Sequence, residues 1–183
     1  IRDKEMKTLF ALLTLLLCTP AAAQTNTFES RKVEQIGTFD DWSAFIFTDA
    51  KEKVCYISTR PVRSRGEYTR RGDVFLMVSH RPYENLFDVV TFVSGYMYMP
   101  RTDAQIKIGD YKASLFTNDD TAWARNLRTD SEIVRALDAG TRVTVEGTSI
   151  EGVRTHDTFS LKGFKDAVSA VNRLCRQPAG AQE

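Results

Sequence analysis

The chain has two histidines, His80 and His156, and their surroundings decide whether imidazole chemistry is open to it. His80 follows an apolar run and precedes Arg81, whereas His156 alternates with polar residues on a predicted solvent side. A zinc site needs three or four ligands, and no close spacing of histidine and cysteine supplies them. We therefore predict no metal site, no cofactor and no enzyme activity, with a hydrolase that uses His80 or His156 as an alternative interpretation.

Two of the three cysteines, Cys55 and Cys175, lie outside the apolar run near the N-terminus. An even number of cysteines in an exported chain indicates a disulfide. Cys55 lies in a strand-like stretch and Cys175 ends a helix-like one, so a bridge would join an early strand to the last helix. A reactive thiol pair or a metal site is the alternative, although the chain has no C-x-x-C spacing.

Segment 60–71 concentrates positive charge, with five arginines against the single acid Glu67. Pro61 and Gly66 indicate a loop between strands, and Tyr68 adds a stacking surface. Guanidinium groups bind phosphate, sulfate and carboxylate with paired hydrogen bonds, so the segment is a candidate contact for an anionic glycan, a lipid headgroup or an acidic protein. A solvated hairpin loop is the other interpretation. The candidate anion-binding residues are Arg60, Arg63, Arg65, Arg70 and Arg71.

Asp157 is the one carboxylate that strand alternation places on an apolar side. It shares parity with Val153, Phe159 and Leu161, and a buried carboxylate is costly unless it accepts hydrogen bonds. We interpret Asp157 as a structural acceptor for loop N–H groups near the end of a sheet. A raised pKa used for catalysis is the alternative.

Short strands are the elements that must position these side chains. The run Val74–Val78 is continuously apolar, Gly95 indicates a bend within a strand, and Gly109-Asp110 is typical of a two-residue hairpin turn. Strand spacing of this kind predicts an antiparallel sandwich or barrel. The predicted strands cover residues 42–47, 54–59, 73–81, 86–99, 106–108, 111–116, 121–124, 141–148 and 153–161.

Two segments have helical spacing instead. The first begins at Thr129 with a capping-box pattern that ends in Glu132, and Gly140 closes it. The second covers residues 163–175, where an apolar stripe carries Cys175 toward the interior and so favours the disulfide. That stripe consists of Phe164, Val168, Val171 and Cys175.

The N-terminal 23 residues have the three-part layout of a secretory signal. Residues 1–5 are predicted to be an upstream extension, Met6 the start, and Ala23 the residue before the cut. The apolar run is about ten residues, short of the ~20 that span a bilayer. A retained anchor or a lipid on Cys18 is the alternative. Residues 24–175 are then one domain, residues 176–183 a flexible tail, and the mature chain has no transmembrane segment.

Composition agrees with one soluble domain, since 42% of the 183 residues are hydrophobic and 27% are charged. The 25 basic and 24 acidic residues nearly balance, and removal of the leader takes away three basic and two acidic residues, which leaves no net charge. Such a chain gains no long-range attraction to nucleic acid, so we expect no nucleic-acid partner.

Several short blocks, in order along the chain, are similar to the invasion-associated locus B family. The resemblance covers about residues 39–175, and its specificity comes from the set rather than from any one block. The blocks are Phe39-Asp40-Asp41-Trp42, Val54-Cys55-Tyr56, Val78-Ser79-His80-Arg81-Pro82, Val93-Ser94-Gly95-Tyr96, Leu115-Phe116-Thr117, Ala122-Trp123-Ala124, Gly147-Thr148-Ser149 and residues 157–164 leading to Cys175.

The resemblance implies an immunoglobulin-like antiparallel β-sandwich with a short helix and a C-terminal helix, in an exported alphaproteobacterial protein. It carries no catalytic residues. It implies a virulence-associated, non-catalytic envelope protein of the periplasm or outer surface, whose partner is an unknown envelope or host-surface component. Many family members have a further cysteine where Ile46 stands, which leaves Cys55 and Cys175 as the only pair here.

Overall fold

The computed structural model describes residues 33–48, 52–67 and 70–176. The predicted leader, Tyr68 and the tail after Arg176 lie outside the described residues. The guanidinium of Arg176, the first residue of the predicted tail, forms an ion pair with Asp88 and lies over the Phe87 ring.

The described chain is mainly β-structure with two helices, as predicted. The strands are β1 (Val33–Phe39), β2 (Trp42–Thr48), β3 (Lys53–Thr59), β4 (Arg63–Arg65), β5 (Phe75–Arg81), β6 (Leu86–Val93), β7 (Ala104–Ile108), β8 (Tyr111–Asn118), β9 (Thr121–Trp123), β10 (Arg142–Thr148) and β11 (Arg154–Ser160); the helices are α1 (Leu127–Ala139) and α2 (Phe164–Cys175).

All the strand pairs are antiparallel and form one continuous sheet in the order β1-β2-β3-β5-β6-β9-β8-β7-β10-β11-β4. The strand β8 serves both halves of this sheet, because its residues up to Leu115 pair with β7 and its last three pair with β9. The two halves face each other as the layers of a sandwich, which confirms the predicted architecture.

Alternating apolar residues fill the space between the layers. Phe92 of β6 meets Phe159 of β11 edge to face, with ring centroids 6.0 Å apart. The indole N–H of Trp42 donates to the carbonyl of Ser160 at 3.0 Å, so a buried polar group is satisfied across the sandwich. Burial of each large apolar side chain stabilises the fold by roughly 1.5–3 kcal/mol.

Helix α2 packs against β2 and β3 through its apolar stripe. Its first residue, Phe164, contacts Trp42 edge to face at 5.1 Å. Gly163 precedes it at φ +86°, where an added Cβ would lie 1.9 Å from the carbonyl oxygen of Phe39. Only glycine fits so close to a neighbouring backbone, and this approach sets the angle at which α2 leaves β11.

Three local predictions need correction. Helix α1 begins at Leu127 rather than Thr129, because Asn126 is the N-cap and its side chain accepts the Thr129 N–H. The strand predicted over residues 86–99 ends at Val93, just before the positive-φ Gly95. Strands β1 and β4 were not predicted, and β4 occupies part of the segment that we interpreted as a loop.

Candidate functional site

The two cysteines form the predicted disulfide. Cys55 and Cys175 are both buried, their Cα atoms are 6.1 Å apart, and 120 positions separate them in sequence. The bridge joins β3 to the last turn of α2, as expected.

His80 lies directly beside this bridge, opposite Cys55 in the pairing of β3 with β5. It is 0% exposed, and its Nδ1 accepts the backbone N–H of Asp88 at 3.0 Å. Burial lowers the pKa of His80, an effect that nearby Asp88 and Asn172 partly oppose. Even so, among the described residues neither His80 Nε2 nor Asn172 Oδ1 has a partner with hydrogen-bond geometry. The neutral imidazole is therefore a packed structural group rather than one that reaches solvent.

A second buried ionisable group, Asp130, lies on the inner side of α1. Asp130 is 4% exposed, and its Oδ1 accepts the Val90 N–H at 2.8 Å. Strand β9 pairs with β6 only from Thr91 onward, so Val90 has no strand neighbour on that side. Burial raises the pKa of Asp130 to about 6; the charge of Asp88 adds to this shift and the Val90 N–H opposes it. The carboxyl thus replaces a missing strand partner.

Replacing Asp130 with asparagine should change how stability depends on pH. The folded chain holds the Asp130 proton more tightly than the unfolded chain, so this stabilisation is complete below pH 3.8 and is lost as the pH rises through about 6. Asparagine still accepts the Val90 N–H but does not titrate. We expect the wild type to lose stability relative to Asp130→Asn over that interval, as measured by urea unfolding at a series of pH values. Parallel pH profiles would contradict the assignment.

The strongest polar contact in the interior joins Arg71 to Asp157. The two guanidinium nitrogens donate to the two carboxylate oxygens at 2.8 and 2.5 Å, and the side chains are 5% and 0% exposed. The buried side of Asp157 was predicted correctly, but its partner was not, because the carboxylate accepts from a guanidinium rather than from loop N–H groups. Both oxygens are occupied in this paired geometry.

Two further neighbours hold the Arg71 guanidinium. The Nε of Arg71 donates to the Ser94 carbonyl at 2.6 Å, and its Cζ lies 5.0 Å from the centroid of the Tyr96 ring. The Tyr96 hydroxyl shares a hydrogen bond of 2.6 Å with the Thr155 hydroxyl. Burial raises the pKa of Tyr96, so its hydroxyl stays protonated. The network ties the 60–71 segment to β11 and to the bend at Gly95.

The five candidate arginines are therefore not one solvent-facing patch. Arg71 is enclosed, and Arg60 pairs with Asp73 at 2.8 Å while it lies over the Phe75 ring. Arg63 and Arg65 are exposed on the edge strand β4, and Arg70 is exposed at the end of the segment. The structure thus separates the set into held and solvent-facing members.

A surface cleft of about 380 Å³ opens next to the Arg71–Asp157 pair. Its charged lining has both signs, so it does not select an anion by charge alone. The exposed apolar side chains of Met97 and Ile150 lie nearby, since the Ile150 N–H donates to the Met97 carbonyl at 2.8 Å. The lining residues are Glu67, Arg70, Gly95, Tyr96, Met97, Ser149, Glu151 and Val153.

The two histidines are not brought together. His156 lies on the outer side of β11, and its Nδ1 is 3.3 Å from the carboxylate of Glu146, whereas His80 faces the interior beside α2. The described residues hold no group of three or more His, Cys, Asp or Glu side chains placed to bind a metal. In the same part of the chain, neither helix has the length and apolar character needed to cross a bilayer.

Comparison with known proteins identifies the family. The sequence model described as "Invasion associated locus B (IalB) protein" matches residues 42–172. No curated protein and no solved structure matches the chain. The matched region contains strands β2 to β11, helix α1 and helix α2 as far as Asn172, and it is more than half of the sequence. The chain therefore belongs to the invasion associated locus B family.

Proposed function

We propose that this chain is an exported, non-catalytic accessory protein of the cell envelope, located in the periplasm or on the outer surface after cleavage near Ala23. The observation that carries the proposal is the buried bridge between Cys55 and Cys175. A structural disulfide that joins distant parts of a chain forms and persists in an oxidising compartment. The leader-like residues 1–23 supply the route to such a compartment.

The non-catalytic part of the proposal is supported by the way the reactive side chains are used. His80 is enclosed, both cysteines are oxidised to one bridge, and Asp157 gives both oxygens to Arg71. General acid–base chemistry needs a group within reach of a substrate proton, and none of these residues offers a free atom at the surface. The role that fits this arrangement is to present a rigid surface to an envelope or host-cell component.

The proposal is tested by locating the protein in the bacterium that produces it. We expect the mature chain, beginning at Gln24, in the periplasmic or outer-membrane fraction, with both remaining cysteines protected from a thiol-alkylating reagent until reduction. Protease treatment of intact cells then separates the periplasm from the outer surface. Recovery of full-length chain in the cytosol, with Cys55 and Cys175 both alkylated without reduction, would contradict the proposal.

A second candidate function is binding of anionic polymers, favoured by the exposed members of the 60–71 segment, Arg63, Arg65 and Arg70. Arg60 and Arg71 already have carboxylate partners within the domain. The remaining three guanidinium groups provide fewer contacts than the sequence suggested, so an extended anion needs further cations close by.

A further inference from the structure

One layer of the sandwich consists of the five strands at the end of the sheet order, from β8 to β4. Its outward side carries a concentration of basic residues that are far apart in the sequence. Strands β8, β7, β10, β11 and β4 lie side by side, and their alternate residues point away from the core. Six basic side chains occupy these outward positions, and all are exposed. We name this surface the cationic face; its basic residues are Arg63, Arg65, Lys107, Lys112, Arg142 and Arg154.

Charge on the cationic face is not neutralised by its neighbours. The one acid at the outward positions of these strands is Glu146, and it contacts His156 at 3.3 Å. Within the described ranges, none of the six basic side chains takes part in an ion pair, whereas Arg60, Arg71, Arg125 and Arg128 all do. The whole chain has a net charge of only +1, so the surface charge is strongly uneven.

Strand pairing places these cations in rows that cross the sheet. One row joins Arg63, Thr158, Thr144, Lys107 and Lys112, each residue directly opposite the next on neighbouring strands. Four steps between strands span about 19 Å. Such a row places cations at both ends and threonine hydroxyl groups in the middle.

The other outward residues indicate which kind of anion fits. Phe116 has the outward parity of β8 but is half-buried against Trp123, where β8 already pairs with β9. Apart from the basic residues, Glu146 and His156, the outward residues of the other four strands and of β8 up to Leu115 carry hydroxyl or amide groups, which suit sugar hydroxyls, and none is Phe, Tyr or Trp, the side chains on which unpaired bases stack. None is aliphatic either, so nothing on this face would enter a lipid layer. These residues are Gln105, Ser114, Thr144, Thr148, Thr158 and Ser160.

We propose that the cationic face binds a linear acidic polysaccharide, with its arginines and lysines contacting carboxylate or sulfate groups along the polymer. Arginine forms paired hydrogen bonds with either group, and lysine adds a point charge. The surface takes in Arg63 and Arg65 from the 60–71 segment but does not depend on Arg60, Arg70 or Arg71. This inference rests on the proposed function, since export would bring the domain to envelope or host polysaccharides.

The test compares two triple variants that remove the same charge from different places. Arg63→Gln/Lys107→Gln/Arg154→Gln removes two arginines and one lysine from the cationic face. Arg128→Gln/Lys165→Gln/Arg173→Gln removes two arginines and one lysine from the exposed sides of α1 and α2. Binding of fluorescent heparin and polygalacturonate oligosaccharides is measured by anisotropy at about 0.15 M salt. We expect the first variant to bind at least about tenfold more weakly and the second to stay within about twofold of the wild type.

Equal losses in the two variants would overturn the inference, because they would show a general effect of net charge. So would retained binding in the first variant, or tighter binding of duplex DNA or of anionic lipid vesicles than of the oligosaccharides at the same salt. Circular dichroism checks that both variants are folded. Absence of binding by an exported protein would refute this inference alone, whereas binding by a cytosolic protein would refute the proposed function alone.

Discussion

Replacing Asp157 with alanine is expected to lower the free energy of unfolding by about 3–5 kcal/mol, because it leaves the Arg71 guanidinium charged, 5% exposed and without its carboxylate. The loss would be visible in urea unfolding followed by tryptophan fluorescence, since Trp42 lies in the same core.

A matched control lies in the same segment of the chain. The Arg60–Asp73 pair has one contact at 2.8 Å, close to the two distances of the buried pair, but its side chains are 60% and 68% exposed. Asp73→Ala should therefore cause little measurable change, because water replaces the lost partner. The double variant Arg71→Met/Asp157→Leu should recover part of the stability that Asp157→Ala loses, since it removes both buried charges. Equal effects of Asp157→Ala and Asp73→Ala would show that burial of the pair is not what matters.

Removing the disulfide is expected to destabilise the domain by up to about 4–5 kcal/mol. The bridge closes a loop of 120 positions, and the chain-entropy argument assigns a large stabilisation to so long a loop. Cys55→Ala/Cys175→Ala should thus unfold at a much lower urea concentration than the oxidised wild type, with a steeper dependence on denaturant because its unfolded chain is less compact.

Reduction provides the control for this prediction. A reducing agent should shift the unfolding midpoint of the wild type toward that of the double variant and leave the variant itself unchanged. Hydrogen exchange should show the largest loss of protection in the last turns of α2, whose final carbonyls include the acceptor for Lys53 Nζ at Leu174. If reduction left the wild-type midpoint in place, the bridge would not contribute to stability.

Elements with clear periodicity could be predicted from the sequence. In β10, Val143 and Val145 alternate with polar residues and are buried, and in α2 the stripe that contains Cys175 faces β3. Parity placed Asp157 on the buried side for the same reason. These predictions depend only on the spacing of residues that are close together in the sequence.

Contacts that depend on the path of the chain could not be predicted. Arg71 and Asp157 are 86 positions apart, and no spacing rule relates a loop arginine to a strand that comes after helix α1 and several hairpins. Strand β4 has three exposed polar residues, Arg63, Ser64 and Arg65, so it carries no apolar signal. Asp130 lies inside the capping-box pattern that begins at Thr129, and that pattern does not indicate that its carboxyl accepts the Val90 N–H of β6.

The cationic face shows the same limit for function. Its basic residues are scattered between positions 63 and 154, so they form no charge run. They meet because β8, β7, β10, β11 and β4 are neighbours in the sheet, a set of long-range pairings that no single window of the sequence encodes. The sequence pointed to the arginine-rich segment, but that segment contributes only Arg63 and Arg65 to the cationic face. The other four basic residues lie on β7, β8, β10 and β11.

The strand β8 has a mechanical consequence for the domain. Because one unbroken strand is hydrogen-bonded to β7 at its start and to β9 at its end, β8 joins the two layers along one edge, and the layers cannot swing apart without exposing the core in which Phe92 meets Phe159. We therefore expect side chains and surface turns to adjust when a molecule binds, while the outer surfaces of the two layers keep a constant relative orientation.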